Sequence, residues 1–365
     1  MKTSRTALFG AALAALLLPT VVGPGVAHAA PPRPAPTVSV LASGLDGASG
    51  STIGPDGALY VTEAGPGEVT RIDPRTGETS LFASGLPPAV IGLGGAIDVA
   101  FLGGTAYVLV TLVGPDVGGT SVNGIYRIDD ADSFTSVADI GAWAVANPPD
   151  TAFDVPSGLQ FALQPVRGGF LVTDGHHNRV LRVTLDGTIS EVVQFGNVVP
   201  TGLDVAGGTV YLAEAGPVPH LPADGTVVAF SLRDPDPAAV RTVASGYSLL
   251  VDVELNSCGS LFVLSQGDSP GQVPAGSPAL SNSGELLRVD RSGTLSVIAD
   301  ELNLPTSVEL VRNTAYVVTL GGEVLQITNV PGAGKSGKGY CLASGTRGMW
   351  IEGRGADGNG HHHSR

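Results

Sequence analysis

The sequence predicts an all-β fold, a six-bladed β-propeller whose ring is closed by the N-terminal strand. Three observations predict it. A small turn followed by a strand bearing a large apolar or aromatic residue occurs six times: Asp56-Gly57-Ala58-Leu59-Tyr60, Gly104-Thr105-Ala106-Tyr107, Gly168-Gly169-Phe170-Leu171, Gly208-Thr209-Val210-Tyr211, Gly259-Ser260-Leu261-Phe262 and Asn313-Thr314-Ala315-Tyr316. Successive copies lie roughly 40–64 residues apart, the period of a propeller blade rather than of a sandwich strand. Beyond the first segment the chain lacks helical periodicity and is punctuated by turn formers.

The elements follow in order. A basic start (Lys2, Arg5), an apolar run from Ala7 to Leu18 and the small-x-small site Ala27-His28-Ala29 read as a Sec-type signal peptide over residues 1–29. The apolar run is too short for a membrane span and is followed by Pro19, Gly23 and Pro24. The mature chain is therefore expected outside the cytoplasm. Residues 30–36 are a Pro-rich spacer, and residues 37–330 form the propeller.

The first repeat divides into strands A to D at Ser49–Ile53, Ala58–Glu63, Glu68–Asp73 and Glu78–Ala83, separated by Gly- and Pro-rich turns. Later blades fall near 95–140, 156–195, 200–245 and 249–300. The sixth supplies A (Thr306–Val311), B (Thr314–Thr319) and C (Glu323–Thr328) but no D. An unpaired strand at the other end, Thr37–Ser43, resembles the D strand of blade 5 and is expected to complete blade 6, leaving no exposed sheet edge. Residues 331–365 are rich in Gly, Ser and Lys and read as a disordered tail. Its Ile351-Glu352-Gly353-Arg354 and His361-His362-His363 are either remnants of cloning or native low-complexity sequence. Cys258, in the A–B turn of blade 5, and Cys341, beyond strand C of blade 6, fall on one side of the disc. They are a candidate disulfide, with two free thiols as the alternative.

Composition excludes several functions. The chain of 365 residues carries a formal charge of −14. Removing the signal makes it about −16, which repels nucleic acid and anionic lipid. Lysine occurs only at Lys2, Lys335 and Lys338, so the propeller offers neither a Schiff-base lysine nor a lysine phosphate clamp. There is no Gly-x-Ser-x-Gly elbow, and neither cysteine has an evident histidine partner.

In a propeller the D–A and B–C connections gather at one mouth of the central channel. Candidate residues are those that reach it. Asp98 and Asp252 mark the starts of two A strands, and Ser157, Thr201 and Thr306 occupy nearby phases in three others. Glu63, Asp174 and Glu214 end B strands, and His176, His177 and His220 share the same rim. Carboxylate, hydroxyl and carbonyl oxygens suit a hard divalent cation such as Ca²⁺, with Glu63, Asp98, Asp174 and Asp252 as its candidate ligands. The alternative is that these side chains bond the backbone of turns and strand ends. Adjacent His176 and His177 on one turn point apart and make a poor zinc pair. The connections at 142–155 (with Trp143 and Phe153), 112–123, 216–225 and 266–284 are long, and all fall on the mouth face, where a rigid scaffold usually binds its partner.

The phrases Ser157-Gly158-Leu159, Phe170-Leu171-Val172-Thr173-Asp174, Asn178-Arg179-Val180-Leu181-Arg182-Val183, Val199-Pro200-Thr201-Gly202, Ile97-Asp98-Val99-Ala100-Phe101 and Gly284-Glu285-Leu286-Leu287-Arg288-Val289-Asp290 resemble the ScyD/ScyE family of secreted bacterial propellers, over about residues 37–330. The resemblance implies an extracytoplasmic six-bladed propeller of the wider NHL-like superfamily and transfers no catalytic residue. Two functions stand as expectations. One is a monomeric binding or scaffold protein holding a small molecule or protein on its loop-rich face. The other is a metal-dependent hydrolase or lyase resembling the gluconolactonase and streptogramin-lyase propellers. The Asn ligands expected of the lactonases and the His/Glu set of the lyases are not evident at matching phases.

Overall fold

The structure is a computed structural model that describes residues 34–273 and 277–332. The expected signal segment, most of the expected spacer and the expected tail beyond residue 332, Cys341 included, lie outside the described residues. Strand β1 (Thr37–Ser43) precedes the ring. Blade 1 holds β2 (Ala48–Ile53), β3 (Leu59–Glu63), β4 (Glu68–Ile72) and β5 (Thr79–Ala83), and blade 2 holds β6 (Gly95–Leu102), β7 (Thr105–Thr111), β8 (Gly124–Asp130) and β9 (Ser133–Asp139). Blade 3 is β10 (Gln160–Val166), β11 (Gly169–Asp174), β12 (Arg179–Thr184) and β13 (Ile189–Gln194), and blade 4 is β14 (Pro200–Ala206), β15 (Thr209–Glu214), β16 (Gly225–Ser231) and β17 (Arg241–Tyr247). Blade 5 is β18 (Leu250–Leu255), β19 (Leu261–Ser265), β20 (Gly284–Val289) and β21 (Leu295–Leu302), and blade 6 is β22 (Pro305–Val311), β23 (Thr314–Thr319) and β24 (Glu323–Thr328).

Each blade is a four-stranded antiparallel sheet, and blade 6 takes β1 as its fourth strand. Thr37 pairs with Thr328 and Ser43 with Glu323, so strands β1 and β24 lock the ring by backbone hydrogen bonds. The expected closure is present.

The core lies between blades. Tyr60, Val69 and Ala83 of blade 1 pack on Val99, Phe101 and Val108 of blade 2, and similar clusters follow around the disc to the contact of blade 6 with blade 1. The recurring B-strand aromatics are the wedges: Tyr60 meets Phe101 edge-on at 4.8 Å, and Tyr107 meets Phe170 at 4.8 Å.

One element departs from the sequence reading. The connection out of blade 2 contains a helix, α1 (Ile140–Ala146). Asp139 caps it by accepting from the Ala142 amide at 2.8 Å, Ile140 and Ala144 are buried one turn apart, and Asn147-Pro148-Pro149 stops it. Seven residues are too few to show a period. Among the described residues no helix is long and apolar enough to cross a membrane.

Candidate functional site

All six A strands carry a bulge where they pair with B, at 48–51, 96–98, 160–163, 200–203, 250–252 and 305–307. The bulge re-aims side chains at the strand's entry into the ring. These segments line an opening on the ring axis, bounded by Ser49, Gly50, Asp98, Phe161, Gly202, Asp252 and Thr306 among others. Its volume is about 310 Å³ counting open solvent, and its enclosed part has room for on the order of one or two water molecules.

At one phase of the bulge the ring reads Gly50, Asp98, Ala162, Gly202, Asp252, Ser307, which is glycine, aspartate and a small residue, twice over. The two aspartates do the same work. Asp98 accepts the Val99 amide at 2.8 Å and, across the blade boundary, the Leu163 amide at 2.7 Å. Asp252 accepts the Val253 amide at 2.8 Å and the Val308 amide at 2.8 Å. The glycines make room for this approach. A Cβ on Gly50 would lie 2.6 Å from the Asp98 Cα, and one on Gly202 would lie 2.5 Å from the Asp252 Cα. One layer along, Asp204 joins blades 4 and 5 by accepting the Leu255 amide at 2.9 Å. The sequence reading passed over Asp204.

The hydroxyls are also structural. Thr201 donates to the carbonyls of Ala213 (3.1 Å) and Leu250 (2.9 Å), and Thr306 to those of Ser49 (2.7 Å) and Val318 (3.2 Å). Ser157 requires a correction. The turn at Gly158 (φ +77°) delays the A strand of blade 3, so Phe161, not Ser157, occupies the phase of Thr201 and Thr306. Ser157 lies in the loop above, where its hydroxyl accepts from Asn123 at 2.7 Å and its amide donates to Asp116 at 3.0 Å.

The B-strand ends divide the remaining carboxylates. Glu63 accepts the Asp46 amide at 2.7 Å and the Thr70 hydroxyl at 2.5 Å. Glu214 accepts the Thr226 hydroxyl, and burial raises its carboxyl to about 7. Asp174 is fully buried, 3.0 Å from both the Arg179 Nε and the His177 Nδ1, and it also accepts the Leu159 amide at 3.1 Å. Arg179 donates to the Asn147 carbonyl at 2.8 Å and lies 4.8 Å over the Trp143 ring, while His177 Nε2 is 3.0 Å from the Val155 carbonyl. This buried network fastens α1 and its following loop to blade 3. His177, discounted in the sequence because it shares a turn with His176, belongs to it. His176 and His220 are half-buried and held neutral to lower pH by desolvation, with nearby Asp154 and Asp174 opposing this at His176 and the His176 charge adding to it at His220.

Glu63, Asp98, Asp174 and Asp252 are thus engaged separately, and among the described residues no three His, Cys, Asp or Glu side chains are grouped so as to hold a metal ion. As placed, these four carboxylates do not form one donor set. Cys258 is disulfide-bonded.

The mouth loops differ in character from the channel. Nine of the fourteen large apolar side chains exposed among the described residues lie in them: Val90, Ile91, Leu93, Val145, Phe153, Leu221, Val273, Leu280 and Leu320. Of the remaining five, Leu185 lies on the opposite face and four lie on outer strands.

No family profile matches the chain, and no curated protein does. Solved structures match its fold. A gluconolactonase from Xanthomonas campestris is 13% identical with a TM-score of 0.56, over 80% of this chain and 89% of that one. A virginiamycin B lyase from Staphylococcus aureus is 11% identical with a TM-score of 0.50, over 80% and 98%. A PQQ-bound aldose sugar dehydrogenase from Streptomyces coelicolor is 15% identical with a TM-score of 0.51, over 82% and 99%. At these identities the likeness establishes the propeller and nothing about its chemistry.

Proposed function

We propose that this chain is a secreted, monomeric binding propeller of the ScyD/ScyE type that holds its partner on the loop-rich face around the channel mouth. The observation that carries this reading is the concentration of exposed apolar side chains in the mouth loops, above a channel whose Asp98 and Asp252 are spent on joining blades. The metal-dependent hydrolase or lyase reading draws support from the fold neighbours alone, and the separated carboxylates speak against it.

The test blocks one face at a time. A polymer of a few kilodaltons is attached to a cysteine introduced at Ala152, on the mouth face, or at Leu185, on the opposite face; both positions are exposed. Immobilised proteins are then compared for what they capture from the medium of the producing cells. Capture that survives the block at Leu185→Cys and is lost with Ala152→Cys is the expected result. Capture insensitive to the mouth block contradicts the reading.

A further inference from the structure

The mouth loops select a sign of charge as well as an apolar partner. Across the D–A and B–C connections the ionised side chains are Asp46, Asp116, Asp150, Asp154, Asp224 and Asp268, and these connections contain no arginine or lysine. The turns of the opposite face mix signs, with Arg75, Arg167, Arg233, Arg291 and Arg312 among their acids. Arg179 is rooted at the mouth but is buried under Trp143 and paired with Asp174. His176 and His220 are held neutral at pH 7 by burial. One face of the disc is therefore apolar and purely anionic, and the other is polar and mixed.

Building on the mouth-face reading above, we propose that the partner is a protein segment in which lysine or arginine alternates with aliphatic or aromatic side chains. Apolar contact supplies the attachment, and the unopposed carboxylates supply orientation and exclude acidic partners. The breadth of the surface favours a protein segment over a small cation. The apolar side chains come from five connections, two that link blades 1 to 2 and 2 to 3 and three within blades 4, 5 and 6. One opening among them, at Val218, Pro219, His220, Leu249 and Ser269, is about 250 Å³ counting open solvent, below the roughly 300 Å³ at which pockets for drug-sized ligands begin. A protein partner needs about 800 Å² of such a surface rather than a deep pocket.

The probe is a fluorescent amphipathic helix of leucine and lysine, run beside its leucine–glutamate twin and a lysine–serine peptide of equal charge. Binding is read by anisotropy on the intact protein and on two triple variants. One neutralises the mouth (Asp150→Asn, Asp154→Asn, Asp268→Asn), the other the opposite face (Glu78→Gln, Asp132→Asn, Asp234→Asn). All six side chains are exposed. The leucine–lysine peptide is expected to bind, the twin and the lysine–serine peptide to bind far more weakly, and the mouth variant to lose about tenfold in affinity while the other loses under twofold. Equal losses in both variants would reveal general attraction to an acidic protein and overturn the proposal, as would equal binding of the lysine–serine peptide. Tight binding of the leucine–glutamate twin, abolished by the polymer at Ala152, would overturn the charge inference and leave the mouth-face reading standing. Displacement of the peptide by stoichiometric tetraphenylphosphonium would replace the protein segment with a small lipophilic cation.

Discussion

Glu214 shows how one side chain ties burial to behaviour. Its carboxyl ends β15, and among the described residues it accepts one hydrogen bond, from Thr226. Desolvation raises it from 4.5 to about 7, with the Thr226 bond pulling weakly the other way. The folded state then holds the proton more tightly than the unfolded chain. The stability linked to this group is complete below about pH 4.5 and is lost as pH rises through about 7, by at most about 3 kcal/mol. Glu214→Gln keeps an acceptor for Thr226 and removes the charge. Its melting temperature should exceed that of the native protein at pH 8, and the gap should close by pH 4. A gap independent of pH would contradict this assignment. The sequence showed Glu214 at a strand end but not its isolation. Glu63, at the same place in blade 1, finds an amide partner in the loop before its blade, and that difference is a contact between segments remote in sequence.

At the scale of elements, the A strands are held to one another by carboxylates rather than by a sheet. Removing one partner leaves a buried amide without an acceptor, which costs about 1–3 kcal/mol. Asp98→Ala and Asp252→Ala should each destabilise the protein by about 2 kcal/mol. Gly202→Ala, whose Cβ would meet the next strand's backbone, should also cost about 1–3 kcal/mol. Chemical denaturation of the single variants checks both expectations, and a neutral Asp252→Ala would refute the staple. Strand positions were legible because turn chemistry and alternation are local. The Asp98 and Asp252 staples were not, because each bonds an amide 65 or 56 residues away. Ser157 was misphased for a local reason, the left-handed turn at Gly158, and α1 was hidden by its length.

At the scale of the whole molecule, the disc separates its duties. Blade interfaces and the axis carry stability, with Asp98, Asp204, Asp252, Thr201 and Thr306 turned to neighbouring backbones. The mouth loops carry most of the exposed large apolar side chains and a single sign of charge. The ring also reads as two copies of a three-blade unit, since Gly50 and Asp98 recur as Gly202 and Asp252 with the same contacts. Six repeats, the ring closure and the long mouth loops could be read from the sequence because they are properties of spacing. The role of the axial acids could not, since the same residue types at the same phase serve equally as metal ligands or as staples. The most direct test of the central claim is the divalent-metal content of the untagged protein, with melting before and after chelation. The account predicts no stoichiometric ion and an unchanged melting temperature. A stoichiometric ion whose removal lowers the melting temperature would contradict it and return the axial carboxylates to chemistry.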